Sequence, residues 1–86
     1  MRSEDFVLTN NFTELIDFAK LRVKYFNVEI KNFDNNTDLV FRLRLDGDDV
    51  IKVPNNSTVS REHFPLVNKL YGRAVDGVAN VSIDYW

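Results

Sequence analysis

The chain has no cysteine, only two prolines and three glycines among its 86 residues, and no apolar run longer than three residues. The missing cysteines exclude disulfide staples, thiolate metal ligands and cysteine nucleophiles together. At this length, and with no staple, stability has to come from a hydrophobic core, aided at most by a partner chain. Runs such as Phe6-Val7-Leu8 and Leu39-Val40-Phe41 are too short for a membrane span or a secretory h-region, so a cytoplasmic protein without membrane contact is expected. An excess of one charge is also lacking. Thirteen acids face eleven bases, for a net charge of −2. That balance argues against a generic nucleic-acid binder and equally against an acidic mimic of DNA, so any electrostatic function must come from local segregation of charge.

Catalytic and metal-binding chemistry finds little to stand on. The single histidine, His63, follows Ser60 by three positions with Glu62 beside it. Neighbours on one helical turn do not converge as a nucleophile, base and orienting acid must. The acidic clusters Asp34/Asp38 and Asp46/Asp48/Asp49 lack the closing glutamate of an EF-hand loop, and Asp46-Gly47 suits a turn between strands. Gly47, Gly72 and Gly77 stand apart, as turn or cap residues rather than a phosphate-binding loop. The expectation is therefore no enzyme, no metal and no cofactor.

What is present is core material: 44% apolar residues, with seven phenylalanines, three tyrosines and one tryptophan. Ten asparagines, several in pairs, suit caps and turns; five fall in N-x-S/T patterns, which without a secretory signal read as chance matches. No repeat or linker interrupts the chain, and residues 1–86 read as one domain.

Periodicity gives the element order. Phe6–Leu8 suits a short strand. Asn11 and Glu14 have capping-box spacing, and Phe12, Leu15, Ile16, Ala19 and Val23 fall on one helical stripe. The pattern then changes near residues 22–26. Strands are expected at 25–33 and 39–45, joined at Asp34-Asn35-Asn36-Thr37, and at Val50–Val53. The hairpin register puts Ile30 opposite Phe41, Val28 opposite Leu43 and Phe26 opposite Leu45, and on the other face Glu29 opposite Arg42. A second helix is read in the stretch from Ser60 to Gly77, with Val67, Leu70, Tyr71 and Ala74 as its stripe and Pro65 at or near its start. A last strand carries Val81, Ile83 and Tyr85 inward. The sum is an α+β fold of order (β)αβββαβ, an antiparallel sheet of four to five strands with two helices on one face. It is a split β-α-β layout similar to ferredoxin-like folds. The αβββα middle also resembles double-stranded-RNA-binding domains, but the second helix opens with Ser60-Arg61-Glu62 and lacks their basic cluster, so no family is assigned.

Two candidate surfaces emerge. Phe18, Leu21 and Tyr25 fall outside the first helix's apolar stripe, and Trp86 adds an aromatic anchor. Together they suit a protein–protein interface. A small non-enzymatic binding protein follows, of the inhibitor, immunity or phage-type host-modulating kind, with self-association through the first helix compatible with it. The alternative uses Lys31, Arg42, Arg44 and Lys52 on the outer face of the sheet as an RNA or single-stranded-DNA platform.

Overall fold

The computed structural model describes residues 1–86 and contains no α-helix. Eight strands follow one another: β1 (Arg2–Leu8), β2 (Thr13–Asp17), β3 (Val28–Asn32), β4 (Leu39–Arg42), β5 (Asp49–Val53), β6 (Ser57–Arg61), β7 (Lys69–Ala74) and β8 (Ala79–Tyr85). A single 3-10 turn, Phe18–Lys20, follows β2 and is capped by Asp17, whose carboxylate accepts from the Ala19 N–H at 3.1 Å. The strands form two antiparallel sheets, ordered β1-β8-β3-β6 and β2-β7-β4-β5. Only β4 and β5 are consecutive strands paired as a hairpin; every other connection crosses from one sheet to the other. This order is that of an eight-stranded jelly roll. The α+β expectation is thereby overturned. No helix is long and apolar enough to cross a membrane.

The inward positions form one cluster of sixteen buried residues between the sheets. Val28 and Ile30 of β3, Leu39 and Phe41 of β4, Ile51 and Val53 of β5, and Val81, Ile83 and Tyr85 of β8 all belong to it, at the two-residue period that buries one face of a strand. Tyr85 is the hub at one end. Its ring meets Phe18 and Tyr25 edge to face, at centroid distances of 5.3 and 4.8 Å, and its hydroxyl donates to the Glu4 carboxylate. Burial first, and then Glu4, push the Tyr85 phenol up to about 12.

Both expected helices are strands, for identifiable reasons. In β2 the register shifts between Glu14 and Ile16, so Ile16 is buried and Leu15 also packs on the core. A bulge of this kind places adjacent residues inward and imitates helical spacing. In β7 the inward positions are Leu70, Gly72 and Ala74, two of them too small to mark an apolar alternation. Val67 is exposed, and His63 has a positive φ of 54° in the turn after β6. The expected β3–β4 hairpin is also absent: β3 lies between β8 and β6, and β4 lies between β7 and β5. Glu29 therefore accepts from Ser60 at 3.2 Å, and Arg42 pairs with Asp49 at 2.7 Å. Phe26 and Leu45, expected inside, are exposed, and Leu43 is half-buried.

Gly72 is a core residue rather than a turn. A Cβ there would lie 2.7 Å from Phe41 Cε1 and 2.9 Å from Leu15 Cδ1. Gly72→Ala is expected to cost about 1–3 kcal/mol through overpacking. Chemical denaturation of the two proteins measures it, and an unchanged midpoint would show that Phe41 repacks freely.

Candidate functional site

The cross-sheet connections sort the loops into two groups. Connections 18–27, 43–48 and 62–68 lie at one end, with Trp86; connections 9–12, 33–38, 54–56 and 75–78 lie at the other. All four residues expected at a protein interface come to the first end, but they do not serve alike. Phe18 is 6% exposed and belongs to the core, so it is not itself a contact residue. Leu21 and Tyr25 are half-buried against the core, and Trp86 is 40% exposed. Phe18 forms the floor of a hollow of about 310 Å³, whose rim includes Leu21, Lys24 and Val67.

The backbone fixes this end closely. Phe26 N–H and Asn27 N–H both donate to the Trp86 carbonyl, at 3.1 and 3.0 Å, and Trp86 N–H donates back to the Asn27 carbonyl at 3.1 Å. Phe64 N–H donates to the Phe26 carbonyl at 2.7 Å, and Tyr25 bridges Leu66. The result is that two half-exposed aromatic residues, Phe26 on the 18–27 loop and Trp86 after β8, sit on segments joined through their backbones. Sequence reasoning missed Phe26 and Val67 by placing both in core stripes; the period break near residue 25 and Pro65 were the available signals. Between Phe18 and Asn27 the loop carries Lys20, Arg22 and Lys24 and no acid. Lys20 lies 3.8 Å from Asp17, whereas Arg22 and Lys24 make no ion pair.

The four bases expected on one sheet face are divided. Arg42 and Lys52 stand on the outer face of the β2-β7-β4-β5 sheet, Lys31 on the outer face of the opposite sheet, and Arg44 in the β4–β5 loop, 3.8 Å from Asp46. They form no common platform. What does gather beside Arg42 is Phe12 and Arg73. The two guanidinium carbons lie 4.1 and 5.5 Å from the Phe12 ring centroid, and Arg73 opposes Val40, which opposes Lys52. Arg42 is further held by Asp49 and by the Leu45 carbonyl at 3.1 Å. Ser60 donates to Glu29, and exposed His63 lies in the loop beyond, where its N–H meets Asn27 Oδ1 at 3.4 Å.

Lys31 is committed to Asp84, 3.1 Å away, with Glu29 at 4.0 Å. Hydrogen bonding from Ser3, and then from Lys31, holds the buried Asp84 carboxyl below the usual carboxylate range, and Asp84 in turn raises Lys31 above the usual amine range. No family model matches the chain, and no curated protein or solved structure matches it.

The signs of these two shifts bound the pH window. Asp84 contributes stability above the ordinary carboxylate value, which is lost as pH falls through its lowered pKa. Lys31 contributes below the ordinary amine value and loses it as pH rises through its raised one. The melting-temperature gap between wild type and Asp84→Asn is expected to be level from about pH 5 to pH 9 and to close below about pH 4. Thermal melts across pH test this; a gap that persists undiminished in acid would contradict it.

Proposed function

We propose that the chain is a small non-enzymatic binding protein that docks onto another protein through the end formed by Tyr25, Phe26, Val67 and Trp86. An inhibitor, immunity or host-modulating role of phage type is the class that fits. One observation carries the reading: Phe26 and Trp86 are 52% and 40% exposed, yet backbone hydrogen bonds tie the segments that carry them to one another. Aromatic anchors already ordered before binding avoid much of the entropy cost of association, and loops on a rigid sandwich are where binding surfaces concentrate. Unpaired Arg22 and Lys24 beside the patch favour a partner with an acidic rim, where charge complementarity speeds encounter.

A second reading has its own observation. Arg42 and Arg73 around Phe12, with unpaired Lys52 nearby, suit an anionic strand such as single-stranded RNA.

The two readings separate cleanly. Phe26→Asp, at an exposed site, should leave the far-ultraviolet spectrum intact and weaken partner binding by about thirtyfold, the scale of an interface hot spot. The check is capture of a partner by tagged wild type from nuclease-treated native lysate, then its affinity for both proteins. Equal affinities would remove Phe26 from the interface. For the second reading, anisotropy with a labelled single-stranded RNA should give a log–log salt slope near −1.4, about −0.7 for each of two phosphates met by Lys52 and Arg73, since Asp49 already holds Arg42. Salt-independent or undetectable binding ends that reading.

A further inference from the structure

On the outer face of the β1-β8-β3-β6 sheet, two neighbouring cross-strand rows are treated differently. In the first, Ser3 opposes Asp84, Asp84 opposes Glu29, and Glu29 opposes Ser60. Its polar groups satisfy one another: Lys31 reaches over to Asp84 and Glu29, and Ser60 donates to Glu29. In the next row Asp5 opposes Ser82, and Ser82 opposes Lys31; beyond it Val7 opposes Asn80. Here the pairing stops. Asp5 makes no ion pair, since the one cation in its row has turned to Asp84. Asn80 exchanges hydrogen bonds with Asn35 through its backbone alone, which leaves its carboxamide unengaged.

These groups line a groove of about 410 Å³ together with Val7, Phe33 and Lys31. Phe33 is 50% exposed and Val7 65%, at the end of β3 and on the β1 edge. The volume falls within the usual range of small-ligand sites.

We propose that this groove binds a neutral saccharide. Its chemistry is a carboxylate acceptor, a carboxamide and a hydroxyl beside an open aromatic face. A pyranose presents the complement: hydroxyls that donate to Asp5 and exchange bonds with Asn80 and Ser82, and a face of weakly positive C–H groups for the Phe33 ring. An anionic ligand is disfavoured by Asp5, which makes no ion pair because Lys31, the groove's one cation, is held by Asp84. A cationic ligand would gain one carboxylate while facing Lys31 at the rim. A purely apolar ligand would leave Asp5 and Asn80 desolvated and unpaired. The site lies on a different face from the proposed protein interface and does not depend on it.

The test is an amide chemical-shift titration of the full chain with glucose, galactose, mannose, N-acetylglucosamine and lactose. At least one should give saturable shifts centred on residues 5–7, 31–33 and 80–82. Phe33→Ala should weaken that binding about tenfold, the scale of one aromatic contact, with the remaining spectrum retained. Asp5→Asn, at an exposed position, should weaken it several-fold and provides the reading if Phe33→Ala disturbs the fold. Absence of localised shifts with every sugar, or wild-type affinity in both variants, overturns the proposal.

Discussion

The side chain on which this roll turns is Asn32, wholly buried at the end of β3, where the chain leaves one sheet for the other. Its Nδ2 group donates to the Thr37 carbonyl at 2.9 Å and to the Val53 and Pro54 carbonyls at 3.2 Å; its Oδ1 accepts from Asn35 at 2.7 Å. Asn35 then joins both backbone groups of Asn80, at 2.8 and 3.0 Å, and Thr37 Oγ1 accepts from Asp76 N–H at 2.8 Å. The 54–56 and 75–78 connections are thereby tied to the 33–38 crossover. A buried amide left without partners costs about 1–3 kcal/mol, so each of these bonds penalises a misplaced connection as well as rewarding the correct one. A cysteine-free chain whose strands repeatedly change sheets needs that penalty, because apolar burial alone is non-directional.

This locking leaves the two ends of the sandwich unlike. The end with the Asn32 network carries Asp34, Asp38 and Asp76 in its connections and no base. At the opposite end the 18–27 loop carries three bases and no acid, beside half-exposed Phe26 and Trp86, while the 43–48 and 62–68 connections carry Asp46, Asp48 and Glu62 with Arg44. The positive charge is local to the one loop that presents Phe26. A molecule of small net charge can still orient an approaching partner through such a separation. The polar end ties the crossovers together, and the aromatic end rests on the Phe18, Tyr25 and Tyr85 rings beneath exposed Phe26 and Trp86.

The same division explains what the sequence made legible. Where inward residues are large, alternation identified the buried face: Val28 and Ile30, Leu39 and Phe41, Ile51 and Val53, Val81 to Tyr85. In β2 a bulge turned two adjacent residues inward, and in β7 Gly72 and Ala74 made the inward side look blank. Those two strands therefore carry a helical spacing in sequence, which turns an all-β roll into an α+β expectation. Alternation also says which face a residue occupies but not which sheet its strand joins. Hence the attractive Glu29–Arg42 pairing had no counterpart, since β3 and β4 share no sheet. Of the residues expected at a protein interface, Leu21, Tyr25 and Trp86 come together at one end of the molecule, whereas Phe18 lies buried beneath them. The basic set failed for the same reason as the hairpin, its members being divided between two sheets.

Pairing decides which of the bases remain available. Lys31, Arg42 and Lys69 each sit within 3.1 Å of a carboxylate, and Lys20 and Arg44 lie 3.8 Å from one. Arg73 is held over Phe12 and by the Asn10 carbonyl, Arg61 by the Ser60 carbonyl, and Arg2 stands over the Tyr85 ring. Arg22, Lys24 and Lys52 are left without any partner in the chain. Exposed ion pairs contribute little to stability, but they do decide where a cation points, and a cation already satisfied gains less from a new anion. Two of the three free cations lie in the loop that presents Phe26. Arg42, the most conspicuous base in the sequence, is by contrast an internal brace: Asp49 fixes its head, and its guanidinium clamps Phe12, and with it the β1–β2 connection, onto the sheet.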